Sequence, residues 1–401
     1  MKNNIERTIK ITSLIFGIIT AVDFIYGMFY YKSFIASGLS KMEISFLMSM
    51  GSICLLVFDF PSGNISDAIG RKKSVGIGVI LWGIGLYLFS ISNSFLYFAI
   101  SIVVFNLGVA LESGSLGAWL HTYLVKKDKV DLWDEAVACM TFNQNFVKFF
   151  LNGVFLILAS TIHLNLLSVS GIVLIILGFF TLFWNKKEEN YGAKKTLGNA
   201  IIDNIKYVFK DSKIKKLATI KLFSSIFLTS FLLIFPYRFT EIFHLDKELL
   251  PYTYFGLNFV MFLSSYLYKK ILYKRFEINN IYITNIVVGA ISLLLILFAN
   301  NMYVFFAGIT IFELFFVINL ITFGTFQYDY ISDENKSAML SVLSSIGSLS
   351  SSILFLVVGF FLEHQSYVGG LGGLIILLSI GIIITKKRLQ SDKISCELTN
   401  E

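Results

Sequence analysis

Three ionisable residues stand alone in long apolar runs of this chain: Asp23, Glu112 and Lys148. A charged side chain at the centre of a bilayer-spanning helix costs roughly 2.5–3.5 kcal/mol on insertion scales, so a chain that keeps one has a use for it. Asp23 shares a helical face with Thr20, Gly27 and Tyr30 or Tyr31. Glu112 has Gly108, Ser115 and Trp119 at i−4, i+3 and i+7, the spacings that meet on one side of a helix. Lys148 sits in a polar stripe with Thr141, Gln144, Asn145 and Asn152. The chemistry open to such a set is proton carriage. A carboxylate released by its cation takes up a proton and gives it back when the cation returns. Lys148 is therefore expected to pair with Glu112 or Asp23 beside an aqueous cavity that Asn145 and Asn152 also line. A static ion pair that only locks helix packing fits the same residues.

Further along, Glu313 lies mid-depth in an apolar run, as a cavity group or a hydrogen-bonded structural acid. Arg238 and Glu241 follow Pro236 at i, i+3 spacing and read equally as an outer gate or as an interfacial ion pair. His121 and Asp329 fall near helix ends, where solvation is expected. The serines 341, 344, 345, 348 and 351 suit close helix packing better than a substrate site. Enzyme chemistry is not expected. The four histidines (121, 163, 244, 364) are scattered, and Cys54, Cys139 and Cys396 suit neither a disulfide framework nor a metal site. No phosphate-binding GxxxxGK[ST] loop is present, so no ATP-driven step is expected. No catalytic residue, metal or cofactor is assigned, and the driving force is expected to be an ion gradient, the proton being the ion that carboxylates carry.

The elements that position these residues follow from composition. The chain is 56% hydrophobic and only 15% charged, with a mean hydropathy of +0.74, where soluble domains carry about 25% charged residues. The run 74–92, SVGIGVILWGIGLYLFSIS, has no charge over the length that about 20 helical residues need to cross about 30 Å of hydrocarbon. Twelve such segments are expected, at 8–31, 42–62, 74–92, 95–125, 135–160, 163–184, 216–243, 249–271, 278–299, 301–330, 336–362 and 367–386. The first contains Asp23 and lacks a small-x-small cleavage site, so it reads as a retained helix rather than a signal peptide.

Alternating the loops from an inner N-terminus places 27 Lys and Arg on the inner side, against Lys32, Lys41 and Lys247 on the other. By the positive-inside rule both termini are then cytoplasmic. The basic surplus is a topology signal with some anionic-lipid contact, not a nucleic-acid footprint. The organisation expected is a six-helix bundle over 1–184, a cytoplasmic central loop over 185–215, a second six-helix bundle over 216–386, and a cytoplasmic tail over 387–401. Within the central loop Leu197, Ile201, Ile205 and Val208 recur at helical spacing and predict an amphipathic helix on the inner leaflet.

The stretch GNISDAIGRKKS (63–74), between the second and third segments, resembles the signature loop of the major facilitator superfamily. Gly63 lets two helices approach, Asp67 caps or pairs at helix ends, Gly70 permits a tight turn, and Arg71 and Lys72 hold the loop inside. Asp59, a turn away, is expected to join the same network. The resemblance implies that the loop is a latch that stabilises one state of the transport cycle. It also implies an all-α membrane fold of twelve helices in two pseudo-symmetric bundles. A shift of 203 residues brings 63–72 onto YLYKKILYKR (266–275), which keeps the basic pair but loses the glycines and the aspartate. The stretch 333–353 resembles the start of the family's eleventh helix, with Lys336 where an arginine is common.

There are departures. The fourth segment lacks the arginine of the family's proton antiporters. Its Ser113, Gly114 and Ala118 match an S-G-x-x-x-A pattern, with Thr122 where an acid is expected, and the fifth lacks a Gly-Pro signature. The expected function is a secondary active transporter, exporting a small amphipathic compound with proton coupling. Uptake of a sugar, amino acid or other polar metabolite is the alternative, and a non-transporting sensor on a transporter fold is another. Lysine outnumbers arginine 28 to 5, which suits a bacterial cytoplasmic membrane. The partners expected are the bilayer and a small-molecule substrate, the protein acting as a monomer.

Overall fold

The structure, a computed structural model, describes residues 2–113, 115–129, 132–162, 165–184, 212–272, 275–330, 336–364 and 367–398. Hydrocarbon offers the backbone no hydrogen-bond partners, so a chain this apolar satisfies its N–H and C=O groups within helices. The helices are α1 (Lys2–Ala36), α2 (Lys41–Ile69), α3 (Arg71–Ile91), α4 (Phe95–Glu112), α5 (Ser115–Lys126), α6 (Trp133–Ile162) and α7 (Leu166–Phe183). They continue as α8 (Ser212–Tyr237), α9 (Leu250–Leu267), α10 (Ile278–Phe298), α11 (Met302–Tyr330), α12 (Lys336–Glu363) and α13 (Tyr367–Leu398). Among the described residues ten helices are long and apolar enough to cross a membrane, and α6 holds a shorter apolar stretch, Phe146–Ile157. This is an all-α membrane protein. The amphipathic helix expected over 197–208 lies outside the described residues.

Two segments differ from the sequence expectation. The fourth, expected as one helix over 95–125, is broken after Glu112. Ser113 leaves the helix with φ −49° and ψ 122°, and α5 starts at Ser115. The expected loop over 63–72 is mostly helix, because α2 runs on to Ile69. The turn is concentrated at Gly70, whose φ of +101° lies where side chains with a Cβ are strained.

The chain divides into two compact units. In the first, Met1–Ser40, Ile53–Leu197 and Leu250–Phe255, α3 packs between α4 and α7 while α1 lies along α6. Small residues permit the approach: a Cβ on Gly83 would come within 2.6 Å of the Gly171 carbonyl oxygen on α7. Phe34, Phe89, Phe98 and Phe105 fill the space beside α1, Tyr26 stacking toward Phe105 at 4.7 Å.

The second unit is Lys41–Ser52, Gly198–Leu249 and Gly256–Glu401, with α10 packed on α11 and α8 on α12 and α13. A phenylalanine column on α8 and α11 forms its core, Phe231 stacking on Phe312 at 4.1 Å. Two serines beside the expected run bond its helices together. Ser350 Oγ donates to the Leu222 carbonyl at 2.6 Å, and Ser352 bonds Ser49 at 2.8 Å. Both are buried, whereas Ser344 is exposed. The first turns of α2 belong to this unit through further bonds: Lys41 Nζ donates to the Leu362 carbonyl at 3.2 Å, and Glu363 accepts the Met42 N–H at 3.0 Å. Glu363 thus supplies an acceptor and a negative charge to the start of α2.

Candidate functional site

Asp23 lies on α1 13 residues before Ala36, Lys148 on α6 14 residues before Ile162, and Glu112 on α4 17 residues after Phe95. At about 1.5 Å per residue each lies about 20–25 Å from the C-terminal end of α1 or α6 or from the N-terminal end of α4, the ends that alternating helices would bring to one side. Lys148 acts electrostatically on Asp23, and Asp23 acts on Glu112. Asp23 is the shared member, which the sequence left open between two carboxylates. It is exposed, Lys148 is half-buried, and Glu112 is buried at 8% exposure.

The surroundings are aromatic. The Lys148 ammonium lies 5.3 Å from the centre of the Phe24 ring, a cation–π contact. Tyr26 lies within electrostatic reach of Asp23. Asn152, one turn from Lys148, is fully buried, and neither atom of its amide has a hydrogen-bond partner among the described residues. Leaving such a group unpaired costs about 1–3 kcal/mol. The side chain of Asn145 lies outside the described residues. Glu112 is the last residue of α4, at the break, so the backbone irregularity and the buried carboxylate coincide.

Of the residues around Gly70, the surroundings of Gly63 and of the Asp67 side chain lie outside the described set. Lys72 is buried and donates from Nζ to the carbonyl of Trp184, which ends α7. A cation there offsets the negative end of the helix dipole, so the basic turn is fastened to a neighbouring helix end. Arg71 and Asp59 are half-buried, and the Asp59 carbonyl accepts from Ser62 Oγ at 2.9 Å.

In the second unit Arg238 is not paired with Glu241. The backbone after Pro236 widens into a π-helix, Arg238–Ile242, which removes the i, i+3 relation on which the expected pair rests. Arg238 is buried and donates to Tyr367 Oη at 3.1 Å and to the carbonyl of Ala299 at the end of α10, while Glu241 is exposed. Glu313 is buried at 7% exposure in α11. One membrane cation escaped the sequence reading: Lys221 of α8, which runs continuously with the basic start of that helix. Its signal was position alone, five residues beyond Lys216 in an apolar run. Among the described residues no cluster of three or more His, Cys, Asp or Glu could hold a metal.

The family described as the Major Facilitator Superfamily has a model that matches residues 12–355. Among curated proteins, none matches the sequence. Solved structures resemble the fold throughout. The nucleoside transporter NupG is 12% identical, over 97% of this chain and 98% of its own, with a TM-score of 0.72. The peptide transporter PepTSo of the POT family is 11% identical over 96% and 98%, with a TM-score of 0.73. A bacterial homologue of the human lysosomal transporter Spinster, inward-facing and occupied, is 11% identical over 96% of each chain, with a TM-score of 0.70.

Proposed function

Because the chain belongs to the Major Facilitator Superfamily, and so is a multi-pass membrane transporter, we propose that it moves protons against a small amphipathic solute, exporting the solute by alternating access. The observation that carries this reading is the group of Asp23, Lys148 and Glu112 at one depth of one unit. Asp23 is exposed and takes up the proton, while Lys148 holds it ionised until the proton or the solute displaces that contact. Glu112 feels the charge of Asp23, so protonation of one carboxylate eases ionisation of the other. The ring of Phe24 beside Lys148 and the paired rings of Tyr26 and Phe105 suit an apolar body carrying a polar group.

The test is proton movement in proteoliposomes under an imposed pH gradient, with a panel of candidate solutes. The expected result is a solute-dependent proton flux that Asp23→Asn or Glu112→Gln reduces at least tenfold. Solute that crosses with no proton flux removes the coupling. Solute that moves along with the proton gradient, rather than against it, reverses the direction. A protein that moves no solute at all would favour a sensor built on a transporter fold.

A further inference from the structure

Lys148, Lys221 and Arg238 each stand in an apolar stretch, apart from the basic runs at the helix ends. Two are accounted for. Lys148 belongs to the Asp23 group, and Arg238 bonds to Tyr367 and closes the end of α10. Lys221 is different. Among the described residues no carboxylate pairs with its ammonium and no charged group acts on it. Ser224 and Ser225 bond its backbone carbonyl, not its side chain.

A lysine near a helix end usually runs its stem back along its own helix and puts the ammonium in the headgroups. Lys213, Lys215 and Lys216 occupy that position on α8, and Lys221 lies nine residues, about 13 Å, beyond Ser212. Its side chain crosses to the neighbouring helices instead. Nζ stands 5.3 Å from the centre of the Phe323 ring on α11. Cε lies 2.7 Å from where a Cβ on Gly347 of α12 would sit, so the stem occupies the room that this glycine leaves. Ser225 Oγ donates to the Gly347 carbonyl at 3.3 Å and Ser350 to that of Leu222, which fixes α8 against α12 on both sides of the lysine. The group is half-exposed, so it is held in place and can still be reached. Ser344, one turn from Gly347 on α12, is exposed.

We infer that Lys221 is the anchor for an anionic group, a carboxylate or a phosphate, on the transported solute, with Phe323 receiving the apolar part beside it. An ammonium on a membrane helix with no counter-ion among the described residues is held at a cost, and an anion that binds there offsets it. This inference rests on the transporter reading and narrows its amphipathic solute to an amphipathic anion. The same chemistry could be met by the phosphate of an anionic lipid, so the test separates the two sources.

The experiment measures ligand-induced stabilisation of the full chain in an uncharged detergent, since a ligand that binds only the folded state raises its unfolding temperature. The probes are substituted benzoates and alkyl phosphates, each matched with its neutral amide or alcohol, against wild type, Lys221→Arg and Lys221→Met. The expected result is stabilisation by at least one anion and not by its neutral counterpart, kept by Lys221→Arg and weakened about tenfold or more by Lys221→Met. Without ligand, Lys221→Met should be as stable as wild type or more so, because it removes an uncompensated charge. A drop in its ligand-free stability would mark a structural lysine and overturn the proposal. So would anion binding that Lys221→Met leaves unchanged, or no anion-specific shift across the panel. In nanodiscs, a Lys221-dependent shift seen with phosphatidylglycerol over phosphatidylcholine, and with no soluble anion, assigns the site to lipid and overturns the solute assignment. Binding needs no transport. A chain that binds anions through Lys221 but moves no protons loses the coupling proposed above and keeps this site.

Discussion

Lys148 and Asp23 influence each other on separate helices of one unit, and a proton carrier needs that influence to be breakable. If the two act as one device, removing either disables it and removing both does no further harm. Lys148→Ala and Asp23→Asn should therefore each reduce solute-driven proton flux by tenfold or more, and the double variant should match the singles. Two separate structural roles would make the losses multiply. The flux cycle thus distinguishes a working pair from a static lock, which stability alone would not. At this scale the sequence was informative wherever a residue was conspicuous. Lone charges in apolar runs were visible. Which carboxylate Lys148 meets was not, because that depends on the rotation of α1 against α6. Lys221 was missed because it follows a basic stretch, and only its crossing toward Phe323 and Gly347 sets it apart from Lys216.

Elements of this protein are joined by helix-end chemistry as much as by apolar packing. Lys72 closes α7, Arg238 closes α10, and Glu363 caps the start of α2. The turn that places Lys72 depends on Gly70 at φ +101°. Gly70→Ala puts a Cβ into a backbone region that costs about 1–3 kcal/mol, and it should lower the stability of the detergent-solubilised protein by that amount. An unfolding transition unchanged within error would show that the turn relaxes freely and positions nothing. The motif around Gly70 was legible because glycine and charge types recur there at fixed offsets. Its helical conformation was not, since polar residues at a membrane edge suit a loop and a helix end equally well. The break after Glu112 had a signal in Ser113 and Gly114, but a run of high mean hydropathy masks a two-residue interruption. The Arg238–Glu241 spacing misled for a related reason: a π-helix after Pro236 changes which residues share a face.

For the whole molecule the number of crossings fixes where the ends lie, and the break in the fourth segment makes that number a real question. Counted separately, α4 and α5 would give thirteen crossings and put the termini on opposite sides. Their lengths decide against it. The 12 residues of α5 extend about 18 Å, too short for about 30 Å of hydrocarbon, and the 18 residues of α4 reach about 27 Å. The two are therefore one crossing, of which α4 supplies most, with Glu112 where they join. The charge distribution agrees, since 27 basic residues fall on one side only if the fourth segment crosses once. Reporter tags at the two ends, scored for accessibility in sealed vesicles, should therefore both be cytoplasmic. A tag between α5 and α6, at 127–132, should be cytoplasmic as well. If that tag were external while the N-terminal one stayed inside, the chain would turn back at Ser113. The carboxylate of Glu112 would then sit at the tip of a re-entrant hairpin, and the shared depth on which the proton reading rests would be lost.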